Sequence, residues 1–145
     1  MKYPEILAID PAPGRFVYAA DDTILYALAL GAGGAADELQ FVYEKGLRAL
    51  PTFAVLMSAG SGDFIEKGGI DFTRIVHGEQ RLTIFEPLPP TGTMVSRSRC
   101  LGVVDKGADK GALVHVESTI SDADSGRHHA TTVMTLFCRG DGGCG

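Results

Sequence analysis

The stretch PTFAVLM at residues 51–57, followed shortly by glycine at position 60, most limits what this chain can become. Pro51 suits the first helical position, where a missing N–H costs nothing, and a glycine suits the end. Short apolar runs leave a strand open as well, but the proline in front and the glycine behind favour a helix over residues 51–59. Its interior is apolar all round, and a helix apolar on every face must be buried on every face. The rest of the chain must therefore enclose it.

The enclosing material lies downstream. From Phe72 onward the pattern is strand: residues 75–86, 94–105, 113–121 and 130–139, with Gly/Asp-rich turns at 106–111 and 122–126. Side chains alternate between faces along a strand, so Val114, Val116 and Ile120 face inward, as do Thr132, Met134, Leu136 and Cys138. Antiparallel strands joined in sequence by such turns make a meander, here of four. Gly102 beside Val103 and Val104 predicts a bulge, because strict alternation breaks there.

The stretch IVHGEQRLTIFEPLPPT at residues 75–91 opens in a polar knot and ends in a proline stop. Gln80, Leu82 and Ile84 share one parity; His77, Glu79, Arg81 and Thr83 share the other, polar one. Gly78 allows either a bulge or the close approach of another molecule's backbone. Pro87, Pro89 and Pro90 cannot donate to a ladder and end the pairing.

Upstream, residues 1–14 carry Pro4, Pro11 and Pro13 and read as an irregular lead-in. A short strand at 15–19 precedes a helix at 22–30, with Asp21 and Asp22 as N-caps and Gly31 as its stop. The glycines at 31–36 close a helix instead of opening one, which argues against a phosphate loop. Residues 61–69 read as polar loop, and the glycines of 140–145 as a tail or the start of a linker after one domain at 1–139. Together these elements give an α+β chain with a curved antiparallel sheet around one apolar helix, the hot dog architecture.

Charge narrows the partners. Eighteen Asp and Glu against 13 Lys and Arg leave a net charge of −5 with no basic run, which argues against nucleic acid. No apolar run approaches the roughly 20 residues of a membrane helix. The first ten residues do not resemble a secretory signal, the chain does not close on an SKL-type address, and the expected compartment is cytoplasmic. Cys100, Cys138 and Cys144 form no C-x-x-C pair, and adjacent His128 and His129 point opposite ways on a strand. No metal site is expected from either group.

Five segments carry a resemblance: DDTILYALALGAG at 21–33, LPTFAVLM at 50–57, HGEQ with PLPPTG within 77–92, VVDKG at 103–107 and RGDGG at 139–143. In this order the chain resembles the N-terminal half of the MaoC-like (R)-specific 2-enoyl-CoA hydratases. That group includes the hydratase 2 part of the type 2 peroxisomal multifunctional enzyme. The resemblance implies a double hot dog whose second half carries an Asp-x-Asn-Pro-x-His motif that activates water. Here the stretch after Gly31 has no Asn-Pro and no histidine, so no catalytic residue is expected in this chain. By resemblance His77, Gly78 and Lys106 contact the acyl-CoA substrate. A lysine in an exposed turn suits phosphates or the pantetheine arm, although an ordinary turn lysine looks the same. Phe53, Leu56 and Met57 are candidates for an acyl tunnel or for plain core.

The implied role is the acyl-CoA-binding half of a hydratase, with no cofactor beyond the substrate and a catalytic hot dog domain or subunit as partner. An exposed sheet edge also favours a homo- or heterodimer. The alternatives are a hot dog thioesterase, for which residues 51–59 offer no carboxylate, and an acyl-binding module without catalysis.

Overall fold

The computed structural model describes residues 1–58 and 61–145. Five strands form one antiparallel sheet: β1 (Gly14–Tyr18), β2 (Ile75–Ile84), β3 (Gly92–Asp105), β4 (Ala112–Asp122) and β5 (His128–Cys138), in the order β1-β3-β4-β5-β2. The helices are α1 (Ala20–Ala29) and α2 (Ser61–Lys67), with 3-10 turns at Glu5–Ala8, Ala36–Phe41, Pro51–Met57 and Phe72–Arg74.

β3, β4 and β5 form a meander, but it is three-stranded: β2 pairs with β5 at the far edge and does not adjoin β3. Residues 85–91 therefore cross about 14 Å of sheet, three strand spacings of roughly 4.8 Å, and their prolines keep them extended. The proline carbonyls anchor this crossing. Pro89 accepts from the Tyr18 hydroxyl at 2.9 Å, Pro90 from Thr23 Oγ1 at 3.1 Å, and Pro87 from His129 Nδ1 at 3.0 Å. A residue that cannot donate still accepts, and three elements use that.

The inward parity of β4 and β5 holds: Val114, Val116, Ile120, Thr132, Leu136 and Cys138 are buried. Both glycine bulges occur, with register shifts between His77 and Glu79 and between Cys100 and Gly102.

The central helical rod differs from expectation. Pro51–Met57 is a 3-10 turn, in which positions i and i+3 eclipse and only a narrow stripe is shared. Phe53, Ala54 and Met57 are buried while Leu56 is 54% exposed, so the segment is enclosed on one side, not all round. The expected helix end at residues 59–60 lies outside the described residues. Where a polar loop was expected, α2 forms and buries Phe64 completely. Two core clusters result. Phe53, Ala54 and Met57 pack with Tyr18, Leu88, Met94, Ile120 and Ala130; Phe64 packs with Ile6, Ile70, Val114, Val116, Leu136 and Cys138. Burying each of these aromatic or aliphatic side chains stabilises the fold by roughly 1.5–3 kcal/mol.

A smaller expectation is also corrected, at the start of α1. α1 begins at Ala20, so Asp22 sits inside the first turn and reaches back to accept the Ala19 N–H at 2.8 Å. The glycine tail is docked: Asp141 is 7% exposed and accepts from the amino group of Met1 at 2.8 Å, and Gly143 N–H donates to Asp105 at 2.8 Å. Glycines let that backbone lie close enough for such bonds. An added Cβ at Gly142 would collide with the Gly107 carbonyl.

Candidate binding site at the end of the sheet

The polar knot lies on edge strand β2, and its bulge decides where each side chain points. Ile75 pairs with Cys138 and His77 with Leu136, both residues of the buried face, whereas Glu79 pairs with Thr135, Arg81 with Val133 and Thr83 with Thr131 on the outer face. The extra residue at Gly78 therefore moves His77 off the polar face it was expected to share with Glu79. His77 stands on the helix side of the sheet, exposed because the strand is an edge. A Cβ at Gly78 would lie 3.3 Å from the Thr135 carbonyl oxygen, so the bulge fits tightly against β5.

On the outer face, Arg81 holds Glu79 through bonds of 3.0 and 3.3 Å, and Thr135 is within 3.5 Å of the same carboxylate. His115 Nδ1 and Thr135 Oγ1 lie 3.0 Å apart. These groups are mutually satisfied.

Lys106 sits in the turn between β3 and β4, where its N–H donates to Gly111 at 2.9 Å. Its ammonium lies 5.8 Å from the centre of the Phe137 ring, and the Arg139 guanidinium lies at the same distance from that ring. Around Phe137 an open bowl of about 490 Å³ is lined by Arg74, Lys106, Asp109, Lys110 and Arg139. Phe137 pairs with Val76, one residue before His77. The expected site residues thus meet at one end of the sheet, but on opposite faces: His77 beneath, Lys106 above. Arg74, Lys110, Arg139 and Phe137 were not singled out from the sequence. The signal lay in the β2–β5 register, which a meander with β2 beside β3 conceals.

The tunnel candidates divide. Met57 is plain core at 1% exposure. Phe53 and Leu56 line a groove of about 280 Å³ with Phe16, Val17, Leu25 and Tyr26. A second apolar cavity of about 280 Å³ lies beneath the proline crossing, between Phe41, Leu47, Ala49, Pro51, Ile84 and Leu88.

The remaining histidines hydrogen-bond neutral groups, although the Asp122 carboxylate lies close enough to His129 for the two to interact electrostatically. His128 Nε2 lies 2.8 Å from the Ala130 carbonyl, and His129 Nδ1 faces the Pro87 carbonyl, which fixes the proton on that nitrogen. Among the described residues no histidine hydrogen-bonds a carboxylate. Burial pushes the Cys138 thiol up to about 11, with Asp141 adding to the shift, and burial also raises Cys100. Such thiols are poor nucleophiles at neutral pH. Among the described residues no helix is long and apolar enough to cross a membrane.

The model of one known family, the MFE-2 hydratase 2 N-terminal domain, matches residues 16–140. The chain is 33% identical over 140 residues to the peroxisomal enoyl-CoA hydratase 2 of Arabidopsis thaliana, covering 89% of this chain and 45% of that protein. It is likewise 33% identical over 150 residues to the 3-hydroxyacyl-thioester dehydratase Y of Mycobacterium tuberculosis, covering 96% and 51%. Among solved structures, the MaoC-like dehydratase of Phytophthora capsici superposes with a TM-score of 0.79 at 26% identity, over 99% of this chain and 51% of that one. The chain thus spans about half the length of these proteins.

Proposed function

The chain belongs to the MFE-2 hydratase 2 N-terminal domain family, and from that premise we propose that it is the acyl-CoA-binding, non-catalytic half of an (R)-specific 2-enoyl-CoA hydratase. The reaction is the reversible addition of water to a trans-2-enoyl-CoA, giving the (3R)-hydroxyacyl-CoA. The observation that carries the division of labour is the engagement of the histidines. Water attack at C3 needs a positioned base, most often an imidazole, and the resemblance assigns that role to an imidazole paired with an acid. Here His128 and His129 face backbone carbonyls, His115 faces a hydroxyl, and among the described residues none of the four histidines, exposed His77 included, hydrogen-bonds a carboxylate. In this reading the acid–imidazole pair comes from a second hot dog domain or subunit.

His77, Gly78 and Lys106 are the substrate contacts in this reading. The two cavities are the places for the acyl chain, each lined mostly by apolar side chains, with Arg48 at one and Asp22 at the other. The partner adds its own strand along the free edge of β2, which pairs only with β5. The compartment follows the enzyme it serves, the cytoplasm or the peroxisome named for the Arabidopsis relative.

The test is a hydration assay with 2-decenoyl-CoA. The chain alone is expected to bind the thioester without turning it over, and to gain activity on adding a catalytic hot dog partner. Turnover by the isolated chain at an ordinary enzymatic rate ends the reading. Light scattering across the micromolar range reports the edge pairing, and a monomer throughout counts against a homodimer.

A further inference from the structure

We propose that the cavity beneath the proline crossing takes the far end of an acyl chain that terminates in a carboxylate, and that Arg48 holds that carboxylate at the rim. The substrate class this selects is the monothioester of a long-chain dicarboxylic acid. The inference rests on the acyl-CoA reading above and adds a contact at the opposite end of the acyl chain from the thioester.

The cavity is apolar with a single charge. Among the described residues lining its 280 Å³, all but Arg48 carry apolar side chains. Phe41, Leu47, Ala49 and Ile84 are only half-buried, so aliphatic and aromatic surface faces open space there. Ordered water needs polar partners that such walls do not supply, whereas an alkyl chain needs none. At roughly 30 Å³ for each group the size of a water, the volume suits an alkyl segment of up to about nine carbons.

Arg48 is held at that rim by a neutral group. Its backbone N–H donates to the Gln40 carbonyl at 2.7 Å, and its Nη1 donates to Gln40 Oε1 at 3.0 Å. Gln40 Nε2 donates in turn to the Asp37 carbonyl at 2.7 Å, so both ends of the carboxamide are fixed. The guanidinium is thereby oriented without its charge being cancelled. Other cations of the chain also lack an ion pair; a fixed orientation beside an otherwise apolar cavity sets Arg48 apart. Of five guanidinium donors Gln40 takes one, and those left form a fork that fits the two oxygens of a carboxylate. At the rim such a carboxylate keeps part of its water while the chain behind it is buried, which avoids the cost of a fully desolvated charge.

Position decides which end of the ligand arrives. Ile84 lies at the opposite end of β2 from His77, roughly 20 Å away at about 3.3 Å per residue with one residue lost to the bulge. Both stand on the helix side of the sheet, since His77 pairs with Leu136 and Ile84 with buried Ala130. A thioester placed at His77 is therefore remote from Arg48, and the group that reaches Arg48 is the far terminus of a long chain.

The experiment is calorimetric titration of the full chain and of its Arg48→Met variant with hexadecanedioyl-CoA, hexadecanoyl-CoA and free hexadecanoic acid, each below its micellar concentration. Methionine keeps an unbranched stem over the cavity wall and removes the charge. The variant is expected to bind hexadecanedioyl-CoA about tenfold more weakly, the value of one partly solvated charge-assisted pair. It is expected to bind hexadecanoyl-CoA no more weakly than the unaltered chain does. Arg48→Lys should restore part of the loss, since lysine keeps the charge without the fork. Equal losses for the two thioesters, or no loss for either, overturn the inference and leave the acyl-CoA reading standing; Arg48 then only covers apolar wall with its stem. Failure of both thioesters to bind the unaltered chain sinks the acyl-CoA reading and the inference with it. Free hexadecanoic acid that still binds through Arg48 in that case assigns the cavity to an unesterified acid.

Discussion

Tyr18 joins two otherwise separate parts of the molecule. Its ring meets Phe53 at 5.2 Å, edge to face, and its hydroxyl donates to Pro89. Burial, with a smaller contribution from Asp122, pushes its phenol from 10.0 to about 12. The sign follows from linkage: the unfolded chain releases this proton near 10.0 while the folded chain keeps it to about 12. The stabilisation is whole below pH 10 and is lost as pH rises through that interval. Tyr18→Phe is expected to cost about 1 kcal/mol at neutral pH, the worth of one hydrogen bond. It should also flatten the alkaline loss, as read by denaturant unfolding at successive pH values. His77 shows the limit of reading single residues from sequence. Gly78 allowed a bulge or a close backbone approach, and only the register against Leu136 and Thr135 shows the bulge and that His77 and Glu79 part company across it.

Among the elements, the strands were legible because alternation is local and each turn carries its own glycine or aspartate. The helical core piece was less so. Residues 61–67 contain Asp63, Glu66 and Lys67, enough charge to look like loop, yet one face of a short helix needs only a single large apolar anchor. Phe64 is that anchor at 0% exposure. Phe64→Ala should destabilise the fold by about 3–5 kcal/mol, measured by chemical denaturation; a cost near zero would return this segment to loop. The tail makes a similar point with a carboxylate. Asp105 accepts from the N–H groups of Gly143, Gly107 and Gly145, bonds that hold its carboxyl below the usual 3.8. Its contribution is present above that value and lost as pH falls through the lowered one. Asp105→Asn should therefore raise amide exchange at residues 141–145 at neutral pH. The unaltered chain should show the same loss only in strong acid.

For the whole molecule, hot dog architecture was legible in an apolar segment followed by a run of downstream strands, although Pro51–Met57 proves to be enclosed on one side only, with Leu56 exposed. What pattern could not supply was the strand order, because pairing partners distant in sequence leave no local mark. The site suffered for the same reason. Arg74 precedes β2 and Arg139 follows β5, 65 positions apart, and only the ladder between those strands makes them neighbours. The bulge at Gly78 has one more consequence. It turns the rim of the sheet into a two-sided lip, with an imidazole on the under surface and guanidinium groups on the upper. A thread-like molecule that touches both must bend over that lip, so its two ends are sorted to different sides of the wall before any chemistry begins.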